Sequence, residues 1–357
     1  MQSERRNRPT ARRRLKKLAL IVLALYIAGS SAFTVVFFRV FFARWDRSAD
    51  NLSLRYEDID SEAFPRTEFT FESGGRTLQG YLYPAENSRG VVVIAHGIHS
   101  GADDHLPETM YFVGQGWTVL AFDGTGYCGS EGAVSRGLSQ MTIDLSAALD
   151  WLDTQPELCD APTMLFGHSM GGYAVAAVLV YHPDVDAVVS IGGFNTPLGI
   201  MTALADRYVG PVCYTGWPFL AVENQILFGD YANISAVTAI NMSDVPVMIV
   251  RGSEDETIPL ASSIYGHADE ITRDGVTLLQ VTDSARGTHT TTWLSSDAAA
   301  LYLDTEAQLE ALQDEYGDPL PQDVHDEFFS TIDKTALFAV DEDFMAQVND
   351  FYLAALA

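Results

Sequence analysis

The stretch "TMLFGHSMGGYAVAAVLV", Thr163–Val180, joins an apolar run suited to a strand to an almost wholly apolar run suited to a helix. Between them sits Gly167-His168-Ser169-Met170-Gly171. A serine on a sharp strand-to-helix turn has its hydroxyl pushed clear of the sheet. The residues two before and two after it then crowd together, so only small side chains fit. Gly167 and Gly171 meet that demand, and Gly172 lets the helix close on the sheet. A bare G-x-S-x-G occurs often by chance, but the flanking strand and helix make this one specific.

The surroundings repeat the pattern. "GVVVIAHG" (Gly90–Gly97), "WTVLAFDG" (Trp117–Gly124), "APTMLFGH" (Ala161–His168), "VDAVVSIGGF" (Val185–Phe194), "VPVMIVRG" (Val245–Gly252) and "GVTLLQVTD" (Gly275–Asp283) are short, β-branched runs of the kind buried on both faces. "TEFTFES" and "TLQGYLYP", parted by Gly74-Gly75, read as a hairpin. Helical stretches separate the strands. In "LSQMTIDLSAALDWLD", Met141, Leu145, Ala148 and Leu152 share one face, and Asp144, Asp150 and Asp153 fall elsewhere. Such alternation predicts an α/β fold with a doubly wound, mainly parallel sheet and helices on both faces.

Two segments break the alternation. Residues 195–243 form a long insert holding Tyr208, Tyr214, Trp217, Phe219, Phe228 and Tyr231. A lid whose aromatics line a substrate pocket and ordinary core packing are both open there. Residues 297–341, with the acidic helix "TEAQLEALQDEYG", suggest a solvated surface, and the pattern assigns them no role.

A serine hydroxyl needs a base and a group that orients the base. The elbow predicts the chain order serine, acid, histidine. "IVRGSEDETIP" follows one strand and offers Asp255, between Glu254 and Glu256. "ARGTHTTTW" follows the last strand and offers His289. Both stand at strand C-termini, where a doubly wound sheet gathers its site. His267 lies in a helix between strands, and His168 should face away from the serine. An oxyanion would be received by the N–H groups of Met170, next to the serine, and of Ile98, after His96-Gly97. The cluster His99, Asp103, Asp104 and His105 reads as a solvated loop, since no matching metal-ligand set appears elsewhere.

Taken together, "HG" at His96-Gly97, "GHSMGG" at Gly167–Gly172, "GSEDETIP" at Gly252–Pro259 and the late His289 resemble the α/β-hydrolase superfamily. The likeness is to its serine-hydrolase branch of lipases, esterases and S33-type aminopeptidases. It covers about residues 66–295 and the last helix. The resemblance implies Ser169, Asp255 and His289 as a catalytic triad, Ile98 and Met170 at the oxyanion, and no cofactor. Members often carry D-x-R-G-x-G-x-S after the fourth strand. This chain keeps Asp123, Gly126 and Ser130 but has Thr125 and Cys128 at the other two places. The expected activity is hydrolysis of small or acyl-chain carboxylic esters through an acyl-enzyme. A peptidase or acyltransferase, with Asp206 or Glu223 holding a charged substrate end, is the alternative. A non-catalytic binding protein is a third reading, disfavoured because no triad member is missing.

Charge divides the chain. Residues 1–47 carry 11 Lys/Arg against 2 Asp/Glu, and the remaining 310 carry 10 against 46. So acidic a body disfavours nucleic acid and anionic lipid as ligands. Within the basic end, Leu18–Phe38 runs 21 residues without Asp, Glu, Lys or Arg. As a helix it would span about 31 Å, close to a bilayer's hydrocarbon core. A cleaved signal peptide ending near Gly29–Ala32 is the alternative, but the apolar run continues to Phe42 broken only by Arg39. The expectation is a basic tail and anchor over residues 1–47 and a hydrolase domain over 48–357 with a lid at 195–243. Eight Lys/Arg precede the span and four follow closely, which predicts a cytoplasmic N-terminus and an extracytoplasmic body. Cys128, Cys159 and Cys213 leave room for one disulfide without indicating the pair.

Overall fold

A computed structural model describes residues 11–357. The start of the basic tail, Glu4–Thr10, lies outside them. Eight strands form one sheet: β1 (Thr67–Ser73), β2 (Arg76–Tyr83), β3 (Val91–Ala95), β4 (Thr118–Phe122), β5 (Thr163–His168), β6 (Ala187–Ile191), β7 (Val247–Gly252) and β8 (Val276–Val281). Their order is β1-β2-β4-β3-β5-β6-β7-β8. The β1–β2 and β2–β4 pairs are antiparallel, and every pair from β4 onward is parallel. This is the sheet that the strand runs predict, hairpin included.

The parallel strands are buried on both faces because their side chains feed two cores in alternation. Val91, Val93 and Ala95 point into one core, Val92 and Ile94 into the other. The first core lies under α3 (Gln140–Asp153), α4 (Met170–Ala177) and α7 (Ala236–Asn241). The second lies under α2 (Leu106–Gly114) and the last helix, Glu342–Ala355. Trp117 ties that last helix to the sheet by donating its indole N–H to Asn349 at 2.9 Å. Between β6 and β7 the chain leaves the sheet to form α5 (Pro197–Val209) and α6 (Trp217–Phe228), and returns through α7.

The long N-terminal helix α1 (Ala11–Phe41) runs unbroken through Gly29–Ala32. It is long and apolar enough to cross a membrane. Its C-terminal end is not free of the body. Phe38 and Phe42 are buried in the first core. Beyond them Arg44 N–H donates to the Ala133 carbonyl and Trp45 N–H to that of Gly126. Arg47 then reaches the loop after β3, 3.0 Å from Asp104 and 3.6 Å from Asp103.

Asp144 is buried, and its carboxylate accepts from Ser73, Gln140 and the Thr125 N–H and hydroxyl. It therefore holds the turn at Thr125. One expectation needs correction: the 99–105 loop is not solvated. Arg47 and Arg66 hold Asp103, and buried His105 hydrogen-bonds Glu108 at 3.0 Å. The six aromatics of the insert divide: Phe228 is buried, Phe219 and Tyr231 are half-buried, and Tyr208, Tyr214 and Trp217 stand exposed. All three cysteines are unpaired.

Candidate active site

Ser169 has φ +57° and ψ −115°, a backbone conformation costly to any residue with a side chain. The neighbouring glycines explain how the turn holds it there. A Cβ on Gly167 would lie 2.3 Å from the Gly171 carbonyl oxygen, and one on Gly171 only 1.9 Å from that of Ala95. One on Gly172 would meet the Ile191 oxygen at 2.6 Å. Helix α4 thus starts against bare backbone on three sides, and Ser169 N–H is fixed to the Ile191 carbonyl at 2.8 Å.

Asp255 and His289, each from a loop after a different strand, meet at this edge. His289 Nδ1 and Asp255 Oδ2 are 2.9 Å apart, and both side chains are largely buried. The other carboxylate oxygen of Asp255 accepts the Ile258 N–H at 2.9 Å. Arg251 fixes the same loop by donating to the Asp255 and Ile258 carbonyls. With Nδ1 engaged by a carboxylate it carries the proton, which leaves Nε2 as the basic nitrogen. Gly192 lies beneath the ring, since a Cβ there would stand 3.1 Å from His289 Cε1. Ser169 is tied to Ile191 and His289 rests on Gly192, so one short segment of chain positions both. No hydrogen bond joins the serine hydroxyl to the imidazole, a contact that often tightens only with substrate bound.

His168, expected to face away from the serine, packs instead against His289. Its ring centroid is 4.7 Å from that of His289, and its Nε2–H donates to the His289 carbonyl at 2.8 Å. Burial, followed by the neighbouring His289 and His105, holds its pKa well below the usual range, so it is neutral and keeps that donor. Alternation along β5 gave no sign of a contact made across 121 residues. His267 is remote, half-buried and bonded to Glu270 at 2.8 Å. Glu254 hydrogen-bonds Ser253, and the exposed Glu256 faces Arg207.

The candidate oxyanion donors follow from His96. Gly124 N–H donates to His96 Nε2 at 2.9 Å, so that nitrogen bears no proton. Nδ1 therefore carries the hydrogen and donates to the Gly97 carbonyl at 2.7 Å. Burial brings the His96 pKa down to about 4, consistent with this neutral form. In a trans peptide C=O and N–H point opposite ways, so holding the Gly97 oxygen turns the Ile98 N–H away from His96. Met170 N–H is the first of α4, with no acceptor inside its helix. Among the described residues neither N–H finds a backbone acceptor. A Cβ on Gly97 would stand 3.3 Å from Ser169 Cβ, so this turn abuts the serine.

Behind the loop, buried Asp123 accepts from Ala102 N–H, Gly129 N–H and the Tyr81 hydroxyl. Burial nonetheless lifts its pKa to about 6. It braces the loop that carries Ile98.

Residues 86–233 match the family model for serine aminopeptidase, S33, a span that includes Ser169 and stops short of Asp255 and His289. Over 210 residues the chain is 24% identical to the uncharacterised protein YfhR of Escherichia coli O157:H7, covering 57% of this chain and 68% of that protein. It is 24% identical over 250 residues to the α/β-hydrolase domain-containing protein WAV2 of Arabidopsis thaliana, covering 68% and 75%. Among solved structures, the Pyrococcus furiosus esterase Pf2001 aligns with a TM-score of 0.51 at 16% identity, over 72% of this chain and 95% of that one.

Proposed function

From the premise that this chain has the α/β-hydrolase fold, we propose that it is a serine hydrolase that cleaves carboxylic esters of acyl-chain substrates through an acyl-enzyme. The observation that carries the reading is the 2.9 Å Asp255–His289 contact on the segment that also fixes the strained Ser169. Ser169 Oγ attacks the acyl carbon as His289 Nε2 takes its proton. Asp255 holds the imidazole's tautomer and balances the positive charge formed. The oxyanion falls to the N–H groups of Met170 and Ile98. Collapse expels the alcohol, which receives the proton from His289. Water then repeats the sequence on the acyl-serine and releases the acid.

The reading extends to location. Helix α1 anchors the protein as a single span, with the body on the extracytoplasmic side, as the excess of Lys/Arg before the span supports. Nucleic acid and cofactors have no part in it.

A peptidase reading has one observation in its favour. Asp206, on the insert, has a carboxylate oxygen shielded from solvent without a partner, as a group holding a substrate's amino end would.

The test is hydrolysis of p-nitrophenyl esters of graded chain length, with aminoacyl amides in parallel. Ser169→Ala and His289→Ala should each lower kcat by about 10⁴- to 10⁶-fold, and the double variant little further, because such residues act as a unit. Asp255→Asn should lose about 10⁴-fold by favouring the wrong tautomer. Glu254→Gln and His267→Ala should stay within about tenfold of wild type, roughly 1.4 kcal/mol of barrier. Full ester hydrolysis by folded Ser169→Ala refutes the proposal. Turnover of amides with no turnover of esters shifts it to the peptidase.

A further inference from the structure

The insert carries an apolar surface that the body does not cover. Gly210–Val222 is 13 residues without a charge. Tyr208, Val212, Tyr214, Trp217, Val222 and Ile226 are all exposed, Tyr208 by 81% and Ile226 by 73%. Exposure of so many large apolar side chains on one segment marks a surface made for something other than water.

What covers it is indicated by α1. That helix packs against α6. The Tyr26 hydroxyl donates to the Thr215 carbonyl, and its ring meets Phe219 edge-on at 5.6 Å. Tyr26 lies well inside the uncharged run, eight residues after Leu18 and twelve before Phe38. At 1.5 Å per residue the contact sits about 12 Å from one end and about 18 Å from the other. A helix crossing a bilayer therefore holds Thr215–Phe219 at hydrocarbon depth, together with the exposed side chains around them. The insert's charges do not oppose this. Arg207 turns to Glu256, 3.3 Å away, and Asp206 and Glu223 are half-buried.

The same insert forms part of the site's surroundings. It leaves the sheet just after Gly192, beneath His289, and Arg207 donates to the Glu256 carbonyl at 2.8 Å, next to Asp255. We infer that the insert Pro197–Phe228 is immersed in the acyl-chain layer of the membrane that α1 crosses, and that the site draws its acyl ester from membrane lipid. The occupant of the apolar surface is lipid hydrocarbon. The substrate half of this inference rests on the ester-hydrolase reading; the immersion half does not.

Two experiments on the full chain in phosphatidylcholine vesicles separate the halves. In the first, tryptophan emission is measured with lipids brominated at mid-chain, for wild type and Trp217→Phe. Loss of a mid-chain-quenched component in the variant supports immersion. Equal quenching of both proteins, with Trp217 open to aqueous iodide, overturns it. Trp217 shielded from both quenchers in a detergent-solubilised dimer also overturns it, because a second copy then covers the surface. In the second, Val212→Asp/Ile226→Glu is compared with wild type on a long-chain ester dissolved in the vesicles and on p-nitrophenyl acetate in water. Both residues are exposed, so the fold should persist. Loss of tenfold or more on the vesicle substrate, with the soluble ester within twofold, is expected. Equal rates on both substrates overturn lipid supply. Quenching with no ester turnover by wild type leaves immersion standing and removes the hydrolase reading.

Discussion

Replacing Ser169 by glycine and by alanine separates the chemistry of this residue from the conformation it is forced to hold. At φ +57°, ψ −115° a side chain is strained by about 1–3 kcal/mol, and glycine is not. Trading alanine for glycine at this position also has an opposing side. Glycine's extra freedom when unfolded costs about 0.5–1 kcal/mol, and the lost buried methyl about 0.8 kcal/mol. The two sides nearly cancel, and the glycine variant should fall between about 0.8 kcal/mol less stable and about 1.7 kcal/mol more stable than the alanine variant. The control is Ala176, fully buried in α4. There the helix penalty of about 1 kcal/mol adds to the lost methyl, and glycine should cost about 2 kcal/mol. For a body of roughly 300 residues that is a fall of about 3 °C in Tm. Thermal melts of the solubilised full chain compare Ser169→Ala, Ser169→Gly and Ala176→Gly, all within one fold. The reasoning is refuted if Ser169→Gly melts below Ser169→Ala by as much as the control falls below wild type. The backbone at 169 would then be relaxed, and the elbow would hold its serine without strain.

Acid stability tests His96. Its pKa is near 4 when folded against about 6.5 when unfolded, so the unfolded chain binds the extra proton and stability is lost as pH falls from 6.5 to 4. The stability difference between wild type and His96→Asn should shrink by about 3 kcal/mol between pH 7 and pH 4 in urea titrations; parallel curves would contradict the assignment. Gly192→Ala adds a methyl 3.1 Å from the His289 ring at φ +60°. Displacing that imidazole should lower kcat by about 100-fold with the fold retained, read as slower labelling by a fluorophosphonate; unchanged labelling would mean the ring tolerates the shift.

The sheet was legible because each strand announces itself locally, by β-branched runs bounded by glycine or proline. The elbow was legible for the same reason, as all its determinants lie within six residues of Ser169. What escaped the sequence depends on partners far along the chain. Asp144 falls off the apolar face of its helix, and its acceptor role is defined by Ser73 and Thr125, from other elements. The 99–105 loop looked solvated because its counter-charges, Arg47 and Arg66, lie before the sheet begins. His168 is invisible as a support for His289 until β5 and the last loop are brought together. The insert's aromatics left core and lid both open, since composition gives their number and not the side they face.

The joint between α1 and the body has a mechanical meaning. Between Phe42 and Arg47, Phe42 is buried, Arg44 and Trp45 bond the backbone of residues 126–133, and Arg47 reaches Asp103 and Asp104. A flexible tether would let the body tumble and sample every orientation relative to α1. This one has no slack, so the helix acts as an axle welded to the wheel. Its tilt and rotation set the bearing of the whole body, and a torque on it reaches, through one arginine, the loop on which Ile98 stands.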